Sequence, residues 1–479
     1  MGTPDAIVVG AGPNGLAAAL TLARAGLAVD VCEGASSPGG GCRTEELTLP
    51  GFHHDVCSAV HPLVLASPFF RSLDLEGRGV KMLTPVVAFA HPLDGGRAGA
   101  VVSSVRDTAA SLGEDARTYR RLFGPLVRDV EKFLPTILGP LRAPPRHPLA
   151  VARFGIPGLL PARWLARGFR TDEARALLAG VAAHATLPLT SPLTGSFALV
   201  LVTLAHAYGW PVVEGGTSRL VRALAEELVS LGGQVHLGRW IGDLDELPEA
   251  DAVLLDVSPR QLAGMAKGAK GWASSRYARA LERFRYGPGV CKVDWALSGP
   301  VPWEAPACRQ AGTVHVGGTI EEIAAGEADV AAGGHPERPF CIVAQPGVVD
   351  ATRAPAGRHT LWAYCHVPPN SHVDMAERIE AQIERFAPGF RDLVMGRAVK
   401  TAAEAEASNP NYVGGDITGG MATLRQTFFR PAISWDNYRT PQPGVYLCSS
   451  STPPGGGVHG MCGFWAARSA LAGLGDRTS

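Results

Sequence analysis

Gly10-Ala11-Gly12-Pro13-Asn14-Gly15 stands between a β-branched run, Ala6–Val9, and a helical pattern, Asn14–Arg24. The spacing is G-x-G-x-x-G, and its place between strand and helix gives it meaning. Gly10 permits the tight turn, Gly12 lets a pyrophosphate approach the backbone, and Gly15 allows helix and strand to pack closely. Pro13 and Asn14 lie in the turn where a helix N-terminus offers free N–H groups and partial positive charge to phosphate. Gly26 breaks the helix, and Ala28–Cys32 forms a second apolar strand that ends at Glu33. Strand, turn, helix and strand make one βαβ unit, so a parallel sheet begins here. Glu33, 23 residues after Gly10 and followed by Gly34, is placed to accept both hydroxyls of a ribose. An acid there disfavours a 2′-phosphate, and hence NADP, while leaving FAD and NAD open.

The 479 residues suffice for two domains or for one large fold with interleaved pieces. With 46% hydrophobic and 18% charged residues the chain can bury a sizeable core, which excludes wholesale disorder. Basic and acidic residues number 44 each, so no electrostatic argument points to nucleic acid. Only six of the 44 basic residues are Lys, which fits a GC-rich bacterial genome. The nine Cys form no C-x-x-C pair, and H-E-x-x-H does not occur, so no metal site is expected. Reduced, mostly buried thiols in a cytoplasmic protein are expected, and a first strand at Ala6 leaves no room for a signal peptide. No apolar stretch reaches the roughly 18–20 residues of a membrane span, and Phe197–Ala205 reads as a buried helix.

From about Val101 to Trp210 the pattern is mainly helical, with breaks at Arg142–Pro148 and Ile156–Pro161. Arg142, Arg146, Arg153, Arg163, Arg167 and Arg170 are interleaved there with Leu, Trp and Phe. Such a segment could contact a membrane peripherally, although solvated arginines on a helical domain explain it as well. Gly215-Gly216-Thr217 opens a helix through Leu228, and strands Gln234–Leu237 and Ala252–Asp256 extend the first sheet. Gly289–Leu297, Phe340–Ala344 and His359–His366 read as strands without intervening helices, in a separate and mostly antiparallel sheet. Strand Val445–Ser449, a glycine loop and a helix from about Val458 to Leu474 close the chain.

Pro38-Gly39-Gly40-Gly41-Cys42-Arg43 follows the ribose acid closely, and here the chain resembles the flavin-dependent amine oxidase and phytoene desaturase superfamily. The resemblance implies FAD, with Gly40, Gly41 and Arg43 on its diphosphate and ribityl chain. It continues in Gly51–Asp55, in Cys57–His61 with Ser58 beneath the flavin, and in Gly215–Leu220. Ile241 stands where a backbone contact to adenine is usual. It ends in Leu447-Cys448-Ser449 and Pro453–Gly460, where superfamily members aim a helix at the flavin ring. Ser449 then lies by the pyrophosphate, and the backbone of Gly457, Val458 and His459 by the ring. Asn409–Met421 and the Gly455–Gly460 ending look closest to the pyridine nucleotide-disulfide oxidoreductase domain-containing protein 2 branch. Gly455, Gly457 and Gly460 also spell G-x-G-x-x-G, yet the 19 residues after Gly460 cannot hold a second βαβ unit.

The fold expected is α/β: a discontinuous Rossmann-like FAD-binding domain of the glutathione reductase and amine oxidase type (1–70, 212–262 and 436–479). A substrate domain has a helical part (71–211) and a mixed-sheet part (263–435). The resemblance implies an oxidoreductase that desaturates or isomerises a C–C bond of a hydrophobic carotenoid-, polyketide- or lipid-like molecule. Flavin N5 would accept hydride, with O2 or a quinone as electron acceptor. His61 and His459 are the candidate proton acceptors, each also readable as a structural histidine. His53, His54 and His366 read as structural. Lys292, the lysine on a substrate-sheet strand, reads as a surface residue, and Trp362 and Tyr364 as cavity lining or core. Two alternatives remain: a flavin amine or amino-acid oxidase, and a non-catalytic prenyl carrier like the GDP dissociation inhibitors.

Overall fold

The computed structural model describes residues 3–140 and 144–478. Ala6–Val9 is buried along its whole length. Its side chains divide by alternation: Ala6 and Val8 join one apolar cluster, Ile7 and Val9 another. A strand apolar on both faces belongs inside a parallel sheet covered by helices on each side. It takes that place, in the order Gln234–His236, Val29–Cys32, Ala6–Val9, Ala252–Leu255, Val445–Leu447, all parallel. Helices Pro13–Ala23, Ser218–Ser230 and Met461–Thr478 contribute to the first cluster, and Pro259–Met265 and Arg276–Glu282 to the second. Three distant segments therefore share one sheet.

The final helix approaches Pro13–Ala23 closely because Gly463 has no side chain. A Cβ there would run into the carbonyl oxygen of Asn14. That helix starts at Met461 rather than Val458. Gly460 is left-handed (φ +66°), and the Met461 N–H is capped by His459 Nδ1 at 3.0 Å.

The second sheet runs Val394–Lys400, Gly289–Leu297, His359–Val367, Cys341–Ala344, Ala311–Val316, Val87–Leu93, Arg97–Val102. Its pairings are antiparallel except Ala311–Val316 with Val87–Leu93. Two expectations need correction. Val87–Leu93 and Arg97–Val102 lie in the stretch assigned to the helical part, yet they form a hairpin around Gly95 and Gly96, both left-handed. Helix Ile320–Ala331, begun by a Thr319–Glu322 capping box, also stands between sheet strands for which the sequence predicts no intervening helix. Phe197–Ala205 lies within helix Thr194–Tyr208 as expected. Arg142 lies outside the described residues. No helix among the described residues is long and apolar enough to cross a membrane.

One buried network ties the sheets together. Asp55 accepts hydrogen bonds from Thr44 Oγ1, from the Thr217 N–H and hydroxyl, and from Arg353 at 2.9 Å. Arg353 also donates to Asp350, which receives the Gly215 N–H. Unpaired, these charges would be costly to bury; here each has a partner, and Arg353 and neighbouring donors hold the Asp55 carboxyl below its usual range despite burial.

Candidate cofactor and substrate site

A single cavity of about 640 Å³ runs from the glycine turn to the second sheet. At its floor Gly10 is left-handed (φ +101°) beneath Asp256. A Cβ on Gly12 would come within 2.9 Å of the Asp256 carboxyl, and one on Gly15 would drive into the Gly10 carbonyl. Gly15 thus serves packing and lies beneath the cavity rather than in its wall. The helix has no acidic residue in its first turn and no side-chain cap at Gly12. Asp256 Oδ2 accepts the Gly15 N–H at 2.9 Å, and the rest of the helix N-terminus is left to face an anion. The second glycine loop docks directly on the first: the Gly39 N–H donates to Ala11 O at 2.9 Å, and Gly40 lies against Gly12.

Glu33 accepts the N–H groups of Ala11 (2.7 Å) and Ala35 (2.8 Å), which fixes its carboxylate at the cavity edge. Gly34 packs under the half-exposed Trp240, because a Cβ on it would meet the indole at 2.7 Å. Pro13, Asn14, Gly41, Arg43, Ser58, Ile241, Ser449, Gly457 and Val458 complete the wall among the expected residues. Buried Arg43 Nε and Asn14 Oδ1 have no protein partner. Polar atoms left bare in a groove floored by glycine fit the diphosphate and sugar of a dinucleotide. Sequence reasoning missed Trp240, Arg239, Asp256 and the 409–412 loop, all of which line the cavity. Asp256 follows the strand Ala252–Leu255, and its position one strand from Gly10 was the available signal. Burial, opposed by the Gly15 N–H and assisted by Glu33, raises its carboxyl to about 7.

The two candidate histidines separate. His61 lines the cavity; its Nε2 meets Thr217 Oγ1 at 3.3 Å and its buried Nδ1 has no partner. Burial lowers it to about 4, so it is neutral near pH 7. His459 is corrected to a structural role. Its Nε2 donates to Gly455 O at 3.1 Å, which leaves Nδ1 to accept the Met461 N–H. With both ring nitrogens committed to backbone it cannot take a substrate proton. Of the other histidines, His54 bonds Thr48 and His366 bonds Glu327.

The far wall is apolar and aromatic. Trp362 and Tyr364 stack nearly parallel, 5.9 Å between centroids, and both line the cavity with Leu201, Trp210 and Ile342. Lys292 is corrected from surface to interior: it is 6% exposed, paired with Asp294 at 2.5 Å, and lies 5.3 Å from the Trp362 ring centroid. Asp294, two residues along the same strand face, supplies the countercharge that makes this burial tolerable.

Residues 8–71 match the NAD(P)-binding Rossmann-like domain family. The chain is similar to pyridine nucleotide-disulfide oxidoreductase domain-containing protein 2 of Rattus norvegicus, 25% identical over 97% of this chain and 92% of that protein. Hydroxyneurosporene desaturase of Cereibacter sphaeroides is 30% identical over 49% of each chain. Among solved structures, an oxidoreductase from Methanosarcina mazei covers 98% of this chain and 99% of its own, at 17% identity and TM-score 0.65. Putrescine oxidase covers 99% of both chains, at 18% identity and TM-score 0.60.

Proposed function

We propose that this chain, a relative of the domain-containing protein 2 branch and of the carotenoid desaturases, is an FAD-dependent oxidoreductase that dehydrogenates or isomerises a C–C bond of a hydrophobic small molecule. The observation that carries this reading is the continuity of the cavity. One space joins the glycine-floored groove, with its bare Arg43 and Asn14 atoms, to the aromatic wall of the second sheet. Glu33 and Trp240 would hold the adenosine end, Gly12, Gly40 and Arg43 the diphosphate, and Ser58, Gly457 and Val458 the ring. When bound, FAD supplies the two-electron acceptor, with O2 or a quinone receiving the electrons afterwards.

The chain's own residues do the rest. Leu201, Trp210, Ile342, Trp362 and Tyr364 bind an apolar skeleton and exclude water. His61, neutral and with a free Nδ1, is the group in that wall able to accept a proton. Asp294 is tied to Lys292, so no unpaired carboxylate faces the substrate end among the described residues, which disfavours a cationic substrate.

The test is to purify the protein, measure bound flavin, and mix the holoenzyme anaerobically with polyenes, terpenoids and alkylamines. Bleaching of the flavin by a terpenoid or polyene is the expected result. A protein that neither carries nor takes up FAD would overturn the proposal. Lys292 beside Trp362 favours one second reading, amine oxidation; hydrogen peroxide release with amines alone would select it.

A further inference from the structure

His184 sits in the cavity wall where a short helical turn, Ala183–Ala185, is ended by Thr186 in a left-handed conformation (φ +54°). A β-branched residue rarely adopts that backbone, and Thr186 ends the turn two residues after His184. His184 Nε2 lies 2.8 Å from Nε2 of His315, on strand Ala311–Val316. His315 packs against Phe89 and Phe340, and its Nδ1 is buried without a partner. Behind it His91 bonds the Gly318 carbonyl through Nε2 at 2.7 Å. His91 and His315 can both lie against residue 180 because it is glycine. A Cβ there would lie 2.6 Å from His91 Nδ1 and 2.8 Å from His315 Cβ.

The hydrogen-bond pattern assigns the tautomers. A buried N–H without an acceptor costs more than a bare lone pair, so the His315 proton belongs on Nε2, donated to His184. His184 then carries its proton on Nδ1, which has no protein partner among the described residues. Burial, with a smaller contribution from His366, lowers His184 to about 3, so the ring stays neutral through the neutral range.

We propose that His184 is an oxygen-binding residue: its Nδ1–H donates to a hydroxyl or carbonyl oxygen on an otherwise apolar substrate. The substrate class narrows from hydrocarbons to oxygenated hydrocarbons. This rests on the cavity being the substrate cavity of the flavin reaction. His315 and Gly180 are positioning residues that hold the imidazole in its donor form.

The probes are octanol, octanal and octane, titrated into the holoenzyme while the flavin absorption spectrum and tryptophan fluorescence are recorded. A purely apolar wall binds the alkane best, because the alkane gains most from leaving water. A donor in the wall reverses the order, and octanol and octanal are expected to bind about tenfold tighter than octane. His184→Leu should abolish this preference and return octane to first place without weakening its binding. His184→Asn, which keeps an N–H donor, should recover part of the preference. Gly180→Ala should reduce it with flavin content unchanged. Octane binding as tightly as octanol to the wild type, with all three perturbing the flavin, overturns the oxygen anchor and leaves the hydrophobic-substrate reading standing. A preference that survives His184→Leu overturns it as well. If no probe perturbs the flavin, both readings fall.

Discussion

Asp256 shows how one buried carboxyl can couple cofactor binding to pH. Its carboxyl is raised to about 7 by burial, and it sits against Gly12 where a diphosphate would lie. The folded chain holds this proton more tightly than the unfolded chain. The resulting stability is fully present below about pH 4 and is lost as pH rises through about 7, by at most about 4 kcal/mol. Asp256→Asn is expected to remove that dependence and to tighten FAD binding above pH 7, measured by flavin titration at pH 6 and 8. Equal affinities for both proteins at pH 8 would refute it. The two candidate histidines, His61 and His459, should also part company. His61→Phe is expected to cut turnover about 100-fold with flavin content intact. His459→Phe should lower the thermal midpoint and the flavin content together, because it uncaps the final helix at a cost of about 1 kcal/mol. Rapid-reaction reduction and visible absorption separate the two outcomes.

At the scale of elements, helix packing sets how the nucleotide groove closes. Gly463→Ala must push the final helix off Asn14, so loss of bound flavin and a lower thermal midpoint are expected. Gly155→Ala, in helix Pro148–Gly158 with open space around it, should instead stabilise by about 0.5–1 kcal/mol. Differential scanning of both variants checks the contrast. On that same helix and the next turn Leu149, Ile156 and Trp164 are exposed, with Arg163 and Arg167 beside Trp164. If this face meets a bilayer surface as its composition suggests, Ile156→Ser with Trp164→Ser should halve or more the fraction co-sedimenting with anionic vesicles. The first sheet was legible because its signals are local: glycines at fixed spacing, a short apolar strand, an acid at its end. The hairpin at Val87–Val102 was missed although Asp94-Gly95-Gly96 between apolar runs is a turn signal, because a helical stretch follows it directly. Lys292 is misplaced by the sequence because alternation along a strand does not separate a solvated face from a buried one on which Asp294 supplies the countercharge. The pairing of His184 with His315 joins residues 131 apart, and no local pattern announces it.

For the whole molecule, burial acts on seven imidazoles at once, His206 and His359 among them. His61, His91 and His459 are lowered to about 4, His184 to about 3, and His315 well below its ordinary value. The unfolded chain takes up their protons first, so stability rises with pH between about 4 and 6.5 and is lost on acidification. His61, His91 and His459 each contribute up to about 3 kcal/mol and His184 up to about 5 kcal/mol, which together outweigh the opposite trend of Asp256. Urea midpoints should therefore fall steeply below about pH 6.5; a flat profile from pH 7 to 5 would contradict the burial of these rings. The first sheet has a consequence for biosynthesis. Val445–Leu447 and the helix after it form its edge and cover, so a ribosome must release the chain through that helix before the nucleotide pocket has all its walls. Nascent chains should remain colourless until then, and flavin capture should await the emergence of that helix however early the glycine turn is made.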